Sequence, residues 1–160
     1  MIWTSRARRV RSPIIHAVDV TVRPVATEAE LVAAMGLRRQ VFVEEQGVPV
    51  ELERDEQDAD AIHVVAVQDG TVVATGRLVF SSAVSPRIGR MAVVNHLRRR
   101  GLGSQVLACL EAQARLAGSA EVRLHAQLPA YGFYAHHGYT AHGGEFEEAG
   151  IRHIAMINRL

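Results

Sequence analysis

The sequence contains no lysine and only one cysteine. A nucleotide-binding P-loop needs a lysine in its Gly-Lys-Ser/Thr motif, so that class of protein is excluded. The lone Cys109 rules out an internal disulfide framework, and without a Cys-x-x-Cys pair we expect no structural zinc. No stretch approaches the roughly 18 apolar residues that span a membrane as a helix. A chain of 160 residues with this composition is typical of one compact cytoplasmic domain.

Positive charge is concentrated at the amino end of the chain. Arginines occupy positions 6, 8, 9 and 11 with no acid among them, although the net charge of the whole chain is only +1. The segment also lacks the apolar run of a secretory signal. We therefore expect residues 1–16 to be a basic, disordered extension and residues 17–160 to form the single folded domain.

Apolar periodicity divides the first half of the domain into a strand, a helix and a hairpin. The strand covers residues 17–23, and the helix begins at a Thr27-x-x-Glu30 capping box and ends at Gly47. The antiparallel hairpin turns at Gln68-Asp69-Gly70. Residues 48–60 carry six acids against one arginine with little apolar periodicity, and we expect a partly ordered acidic loop there.

The second half contains a strand, a glycine loop and a helix in sequence. The strand at 88–94 leads through the loop into a helix that Gly118 caps, and the next strand, at 121–126, should run parallel to the first. A short helix up to Gly138 and a hairpin turning at Ala149-Gly150 follow. The order predicts an α+β sandwich, a mixed and mostly antiparallel sheet flanked by helices.

The loop from Arg98 to Gly103 has the features of an anion site. Peptide N–H groups at a helix start have no partners within the helix and point outward together, and glycine lets a phosphate approach the backbone. A dinucleotide-binding motif does not fit, because its third glycine position is Val106. Two interpretations remain at this point: a polyphosphate site, or a glycine-rich turn flanked by solvated arginines.

The segment MAVVNHLRRRGLGSQVL resembles the acetyl-CoA-binding motif of the GNAT family of N-acetyltransferases, with Arg98, Gly101 and Gly103 at the motif positions. Arg99 stands where that family often has glycine. A second family motif, an aromatic-Tyr pair followed by Gly-aromatic, is matched by Phe133-Tyr134 and Gly138-Tyr139. RRQVFVEEQGVPVELERDEQD and EFEEAGIRHIAM further resemble the ElaA-like bacterial subgroup. The resemblance covers residues 18 to 158 and implies the GNAT fold.

The resemblance implies transfer of an acetyl group from acetyl-CoA to a primary amine by direct attack in a ternary complex, without a metal. A bulge would leave a backbone N–H near Val93 to polarise the thioester carbonyl. The implied cofactor contacts are Tyr134, the strand edge at Met91, Ala92 and Val93, and the loop and helix start at Arg98, Arg99, Arg100, Gly101, Leu102, Gly103 and Ser104.

Three residues are candidates for the proton transfers that the resemblance implies. Tyr134 would protonate the departing thiolate, because a phenol keeps its proton at pH 7. Glu45 and His153 are the candidates for the base that takes a proton from the amine. Each has a structural alternative: Tyr134 as packing, Glu45 as a surface acid at a helix end, and His153 as an ordinary strand residue. Cys109 fits a core position.

The acceptor would be a small-molecule or protein amine. In the family, the first helix and the loop after it border the acceptor groove, so acids from Glu44 to Asp60 would attract a cationic amine; the alternative is a solvated charge run. The same acids argue against nucleic acid. We expect no membrane partner, and a homodimer is possible for this family. The alternative function is a non-catalytic acyl-CoA-binding or sensing domain.

Overall fold

The computed structural model describes residues 19–81 and 84–160. These residues form one seven-stranded sheet with helices against its faces, which confirms the predicted α+β architecture. The predicted basic extension, residues 1–16, lies outside the described residues.

The sheet has the order β1-β2-β3-β4-β5-β7-β6. Only β4 and β5 run parallel among the described strands, as the helical connection between them predicts. The strands are β1 (Val20–Pro24), β2 (Ile62–Gln68), β3 (Thr71–Val79), β4 (Arg87–Val93), β5 (Glu121–Gln127), β6 (Thr140–Glu148) and β7 (Ile151–Arg159).

The two predicted hairpin turns are both present. Asp69 and Gly70 join β2 to β3 with φ angles of 49° and 75°, and Ala149 and Gly150 join β6 to β7 with φ angles of 52° and 77°. Two-residue loops with positive φ at both positions match the right-handed twist of paired strands. Each turn therefore fixes the register of its hairpin.

Helices cover both faces of the sheet. On one face α3 buries Val106, Leu107 and Leu110 in the main core, and on the other face Leu37 of α1 packs against Ala92 of β4. The α-helices in the described part of the chain are α1 (Glu28–Arg38), α2 (Val50–Glu53), α3 (Leu102–Leu116) and α4 (Tyr131–His136).

The first helix changes its winding after Arg38. Thr27 caps α1 as predicted, accepting a hydrogen bond from the Glu30 N–H at 3.2 Å. Residues Arg39–Glu45 then continue as a π-helical segment, and the Gln46 N–H donates to the Val41 carbonyl at 3.2 Å. The helical run ends at Gly47, as the sequence predicts, but its π-helical part was not predicted.

The acidic segment 48–60 is not the partly ordered loop that its composition predicts. It forms α2 and a 3₁₀ turn (Glu56–Ala59), and two buried arginines from other elements hold it. Arg38 binds Glu53 and Asp58, and Arg77 binds Asp58 at 2.7 Å and both oxygens of Asp55. The prediction was wrong because apolar periodicity carries no signal for a segment whose buried contacts are ionic.

Asp55 and Asp58 are ionised because the arginines outweigh the cost of burying these two carboxylates. Burial opposes ionisation of Asp58, but hydrogen bonds from Arg38 and Arg77 hold its pKa well below its usual range. A hydrogen bond from Arg77 likewise lowers the pKa of Asp55, against the opposing effect of burial. Because Arg38 and Arg77 are only 1% and 2% exposed, either cation would be costly without its carboxylates.

We predict that Asp58→Asn lowers the free energy of unfolding by about 3 kcal/mol, because it leaves two buried guanidinium groups short of a partner. Urea denaturation at pH 7 measures the change. The control is Asp60→Asn, an exposed acid two residues away, for which we expect a change below about 0.5 kcal/mol. Equal stability of the two variants would contradict the prediction.

The pH dependence of the same variant gives a second readout. The pKa values of Asp55 and Asp58 are lower in the folded chain than in the unfolded chain. Their stabilisation is therefore complete above the unfolded value of about 3.9 and is lost as the pH falls below it. Below about pH 5 the wild type should lose stability more steeply than Asp58→Asn, whose unfolded state takes up one proton fewer.

Candidate active site

Strands β4 and β5 separate shortly after they begin to pair. Their parallel register covers only Arg87 opposite Arg123 and Ile88 opposite Leu124. Beyond these pairs the two strands diverge, and a pocket of about 410 Å³ lies beside the opening, between β4, β5, the π-helical segment and the β6–β7 turn. The hydrogen bond from Gln127 Nε2 to Gln46 Oε1, 2.8 Å long, joins the end of β5 to the end of the π-helical segment at this pocket.

A bulge in β4 changes which side chains face the pocket. Two residues of β4, Arg90 and Met91, lie opposite a single residue of β3, Gly76. A Cβ on Gly76 would come within 2.7 Å of Met91 Sδ, so this glycine makes room for the bulged strand. Arg90 takes a left-handed φ of 50°, which is unfavourable for a residue with a Cβ.

Beyond the bulge, the side chains of β4 lie on the opposite faces of the sheet from those that a regular strand would give them. Ile88 and Met91, three residues apart, both pack on the α3 face, whereas Ala92 packs on the α1 face. In a regular strand Arg90 would share the α3 face with Ile88. Instead its side chain lies in the pocket and contacts α2.

The open edge of β4 offers backbone groups to a ligand. The Val94 N–H donates to Val73 on β3, so the N–H of Val93 projects toward the opposite edge, where β4 has separated from β5. The Val93 carbonyl on that edge accepts a hydrogen bond from Arg98 Nε at 3.0 Å. The predicted bulge and free N–H are thus both compatible with the structure.

The predicted anion loop has the backbone conformation that such a site requires. Gly101 has φ 84° and precedes α3, and a Cβ added to it would meet nothing within 4 Å. Arg99 also has a positive φ, 62°, which explains why glycine suits this position. Among residues 19–81 and 84–160, no group accepts a hydrogen bond from the N–H groups of residues 101–104.

Gly103 has a different role from Gly101. A Cβ on Gly103 would point at the Phe133 ring, 3.5 Å away, rather than out of the loop. Of the two motif glycines, Gly101 therefore leaves the loop open to a ligand, while a Cβ on Gly103 would make ordinary van der Waals contact with Phe133 of α4.

Arg98 and Glu45 bind each other. Arg98 Nη2 lies 2.7 Å from Glu45 Oε2, so this arginine links the loop to the π-helical segment. Glu45 does not line the pocket, and the structure does not bring it together with the other two candidate catalytic residues. Arg99 and Arg100 are exposed beside the loop.

Tyr134 lines the pocket from α4. The residue is 8% exposed, and its hydroxyl has no hydrogen-bond partner in the described part of the chain. Burial raises the pKa of Tyr134 to about 12. The hydroxyl is therefore protonated at neutral pH and is able to donate a proton into the pocket.

His153 lies in the same pocket with one nitrogen available as a base. Its Nδ1 lies 2.7 Å from the Ile151 carbonyl, which can only accept, so Nδ1 carries the proton. The remaining nitrogen, Nε2, lies 3.8 Å from Glu148 Oε2. The imidazole also stacks on Phe146, with ring centroids 5.9 Å apart.

The pocket lining also includes Arg87, Arg90, His125 and Glu148, which are not among the site residues predicted from the sequence. His125 Nδ1 lies 3.4 Å from both oxygens of Glu148 and from Arg87 Nη1. The hydrogen bond from His125 lowers the pKa of Glu148, with burial opposing the shift. Of this group, Glu148 had a signal in the sequence, because a two-residue turn at Ala149-Gly150 pairs it with Ile151 and so places it diagonally across the hairpin from His153.

The arrangement can hold an anionic, peptide-like ligand along β4 and bring its end to a phenol and an imidazole. Residues 19–81 and 84–160 contain no cluster of three or more His, Cys, Asp or Glu side chains that could hold a metal. Their helices include none long and apolar enough to cross a membrane.

Residues 22–160 match the acetyltransferase (GNAT) domain family. YjcF of Bacillus subtilis, an uncharacterized N-acetyltransferase, is 34% identical over 81% of this chain and 93% of its own length. An acyl-CoA N-acyltransferase from Pseudomonas aeruginosa is 33% identical with a TM-score of 0.75, over 89% of this chain and 99% of that one. Escherichia coli ElaA is 26% identical with a TM-score of 0.76, over the same shares of the two chains.

Proposed function

This chain belongs to the GNAT acetyltransferase family, whose members transfer acyl groups from acyl-CoA, and we propose that it moves an acetyl group from acetyl-CoA to a primary amine by direct attack in a ternary complex. The observation that carries this proposal is the opening between β4 and β5. Beside this opening, Gly89, Arg90 and Met91 of β4 line the pocket that contains both Tyr134 and His153, and two residues further on Val93 lies 4.0 Å from the Cβ position of Gly103 at the start of α3.

The residues present fit an acyl-CoA donor. The N–H groups of residues 101–104 would bind its diphosphate, and Gly101 leaves the approach free of side-chain atoms. The edge of β4 would pair with the amide groups of its pantetheine arm, as an added strand does. When bound, the donor supplies an activated thioester carbonyl, which the Val93 N–H would polarise.

His153 and Glu148 would act on the amine. An alkylamine is mostly protonated at pH 7 and must lose a proton to attack. His153 Nε2 would take that proton, and the Glu148 carboxylate 3.8 Å away would stabilise the imidazolium that results. In this proposal Glu45 is not the base; it positions Arg98 beside the donor site.

Tyr134 would act on the leaving group. As the new C–N bond forms and the C–S bond breaks, the sulfur leaves as a thiolate. The Tyr134 hydroxyl would give it a proton, and the raised pKa of this phenol keeps that proton available across the neutral range. The protonated amine loses two protons on its way to the amide: His153 would take the first, and the second leaves the nitrogen after the C–N bond has formed. The Tyr134 phenolate would recover a proton from this second one through solvent, and His153 would release its own to solvent, so that one proton is released overall.

We predict that Gly101→Glu raises the Kd for CoA at least 100-fold, because it places a carboxylate where the diphosphate would bind. Isothermal titration with CoA measures the affinity. Gly118→Glu is the matched control: Gly118 has the same φ of 84° and the same open surroundings, but lies at the other end of α3. Equal loss of affinity in both variants would show that backbone strain, not the loop, is responsible.

We predict that Tyr134→Phe lowers kcat about 100-fold while the Kd for CoA stays unchanged, since only the proton donor is lost. Thiol release from acetyl-CoA, followed with a panel of primary amines, measures the rate. Tyr131→Phe, on the same helix but 41% exposed, should behave like the wild type. An unchanged kcat in Tyr134→Phe would remove this residue from the mechanism.

We predict that His153→Gln lowers kcat/KM about 100-fold at pH 7, and that the loss shrinks as the pH rises and more of the amine is neutral. Glu148→Gln should lower kcat/KM less than His153→Gln does, because the imidazolium loses its stabilising carboxylate while the base itself remains. The exposed His136→Gln serves as the control. A pH profile that neither pocket variant changes would exclude the pair.

A further inference from the structure

The Arg90 guanidinium is held in the pocket by contacts that use only part of its hydrogen-bonding capacity. Its Nε donates to the Glu53 carbonyl at 3.0 Å, and its Nη2 donates to the Leu52 carbonyl at 3.2 Å. Nη2 also lies 3.4 Å from Asp55 Oδ2. Nη1 has no partner among residues 19–81 and 84–160, and it is not sealed from solvent.

The nearby carboxylates are bound more closely to other arginines. Asp55 contacts Arg77 at 2.6 and 2.7 Å, but Arg90 at 3.4 Å, and Glu53 binds Arg38 directly while it lies 3.9 Å from Arg90. Burial lowers the pKa of Arg90, and repulsion from Arg77 and Arg38 lowers it further, more than Asp55 and Glu53 raise it. Arg90 is therefore a pocket cation whose surroundings favour an added anion.

The opposite wall of the same pocket suits an amine rather than an anion. There Glu148 Oε2 and the Nε2 of His153 lie 3.8 Å apart, and Arg87 on this wall contacts His125 rather than forming an ion pair with Glu148. A carboxylate and an imidazole nitrogen that can accept a hydrogen bond suit an amine. A single pocket of about 410 Å³, in the range of small-molecule sites, thus combines a wall for an anion with a wall for an amine.

We propose that the acceptor is a small amino acid-type molecule that carries both a primary amine and a carboxylate. The Arg90 guanidinium binds the carboxylate, and this contact directs the amine toward His153 and Glu148. The bulge in β4 is what makes this possible, since it turns Arg90 into the pocket. The inference rests on the proposed function and specifies its substrate class.

The same arrangement selects against polyamines. A diamine that placed one amine at His153 would bring its second cation toward Arg90, where it would meet like charge rather than an acid. The two acids of segment 48–60 that line the pocket do not compensate, because Glu53 is bound to Arg38 and Asp55 is bound to Arg77.

The test compares free amino acids with their primary amides, using thiol release from acetyl-CoA. An amide keeps the side chain and removes the carboxylate, and its amine is less basic and so more often neutral at pH 7. We expect at least one amino acid to have a kcat/KM ten or more times that of its amide, against this chemical advantage. A wild-type enzyme that uses amides or polyamines equally well or better would overturn the proposal.

Variants of Arg90 show whether this residue recognises the substrate or only supports the fold. Arg90→Gln should lower kcat/KM for the preferred amino acid about 10- to 100-fold, mainly through KM, as expected for a lost charge-assisted hydrogen bond. Its kcat/KM for the matched amide should change less than twofold, and Arg90→Lys should recover part of the preference. Arg115→Gln, an exposed arginine on α3, is the control. If Arg90→Gln leaves the ratio of the two kcat/KM values, amino acid over amide, unchanged, Arg90 does not bind the carboxylate.

A binding measurement distinguishes this proposal from the catalytic one. If no acceptor, whether a polyamine, an amino acid or an amide, gives thiol release, the result would contradict the proposed function but would not test the carboxylate contact. In that case calorimetric titration of the twenty amino acids into the protein saturated with CoA tests the pocket directly. Binding that Arg90→Gln abolishes would support the carboxylate contact, and absence of binding by all twenty would overturn it.

Discussion

The separation of β4 from β5 is the constraint on which the rest of the site depends. Two strands that stayed paired along their whole length would satisfy each other's backbone groups and leave no room for a ligand between them. Here the pairing stops after Ile88 and Leu124. The edge of β4 beyond this point has no partner strand in the described part of the chain, and β4 lines the pocket that holds Tyr134 and His153. In the proposed function, the donor and acceptor sites would both be consequences of one incomplete sheet.

The wall of the pocket at α2 is built differently from the hydrophobic core. Arg38 and Arg77 hold α2 and the 3₁₀ turn through carboxylates rather than through apolar burial. The carbonyl groups of Leu52 and Glu53 in this wall accept hydrogen bonds from Arg90 and hold its side chain in the pocket. The pocket can therefore be polar, because ion pairs rather than apolar packing hold this wall in place.

The sequence predicted most of the fold but only part of the site. Turn residues such as Asp69-Gly70 and Ala149-Gly150, and the glycines that end the helices, specify local conformation, so the predicted elements appear in the predicted order. The bulge at Arg90 depends on the fit of Met91 against Gly76 across two strands, which no local pattern records. The roles of Arg77 and Arg90 likewise depend on contacts between distant segments, as does the pairing of Glu45 with Arg98.

The ionic cluster around Asp58 also limits how this protein can change over generations. Its members come from α1, α2, the 3₁₀ turn, β3 and β4, and each charge has more than one partner. Loss of Arg38, Arg77 or Asp58 leaves buried groups of opposite charge short of a partner, whereas a simultaneous exchange of several members for apolar residues need not. Related proteins should therefore either keep all the residues of this ionic cluster or lose them together. The presence of the complete cluster would identify the relatives that share this pocket wall.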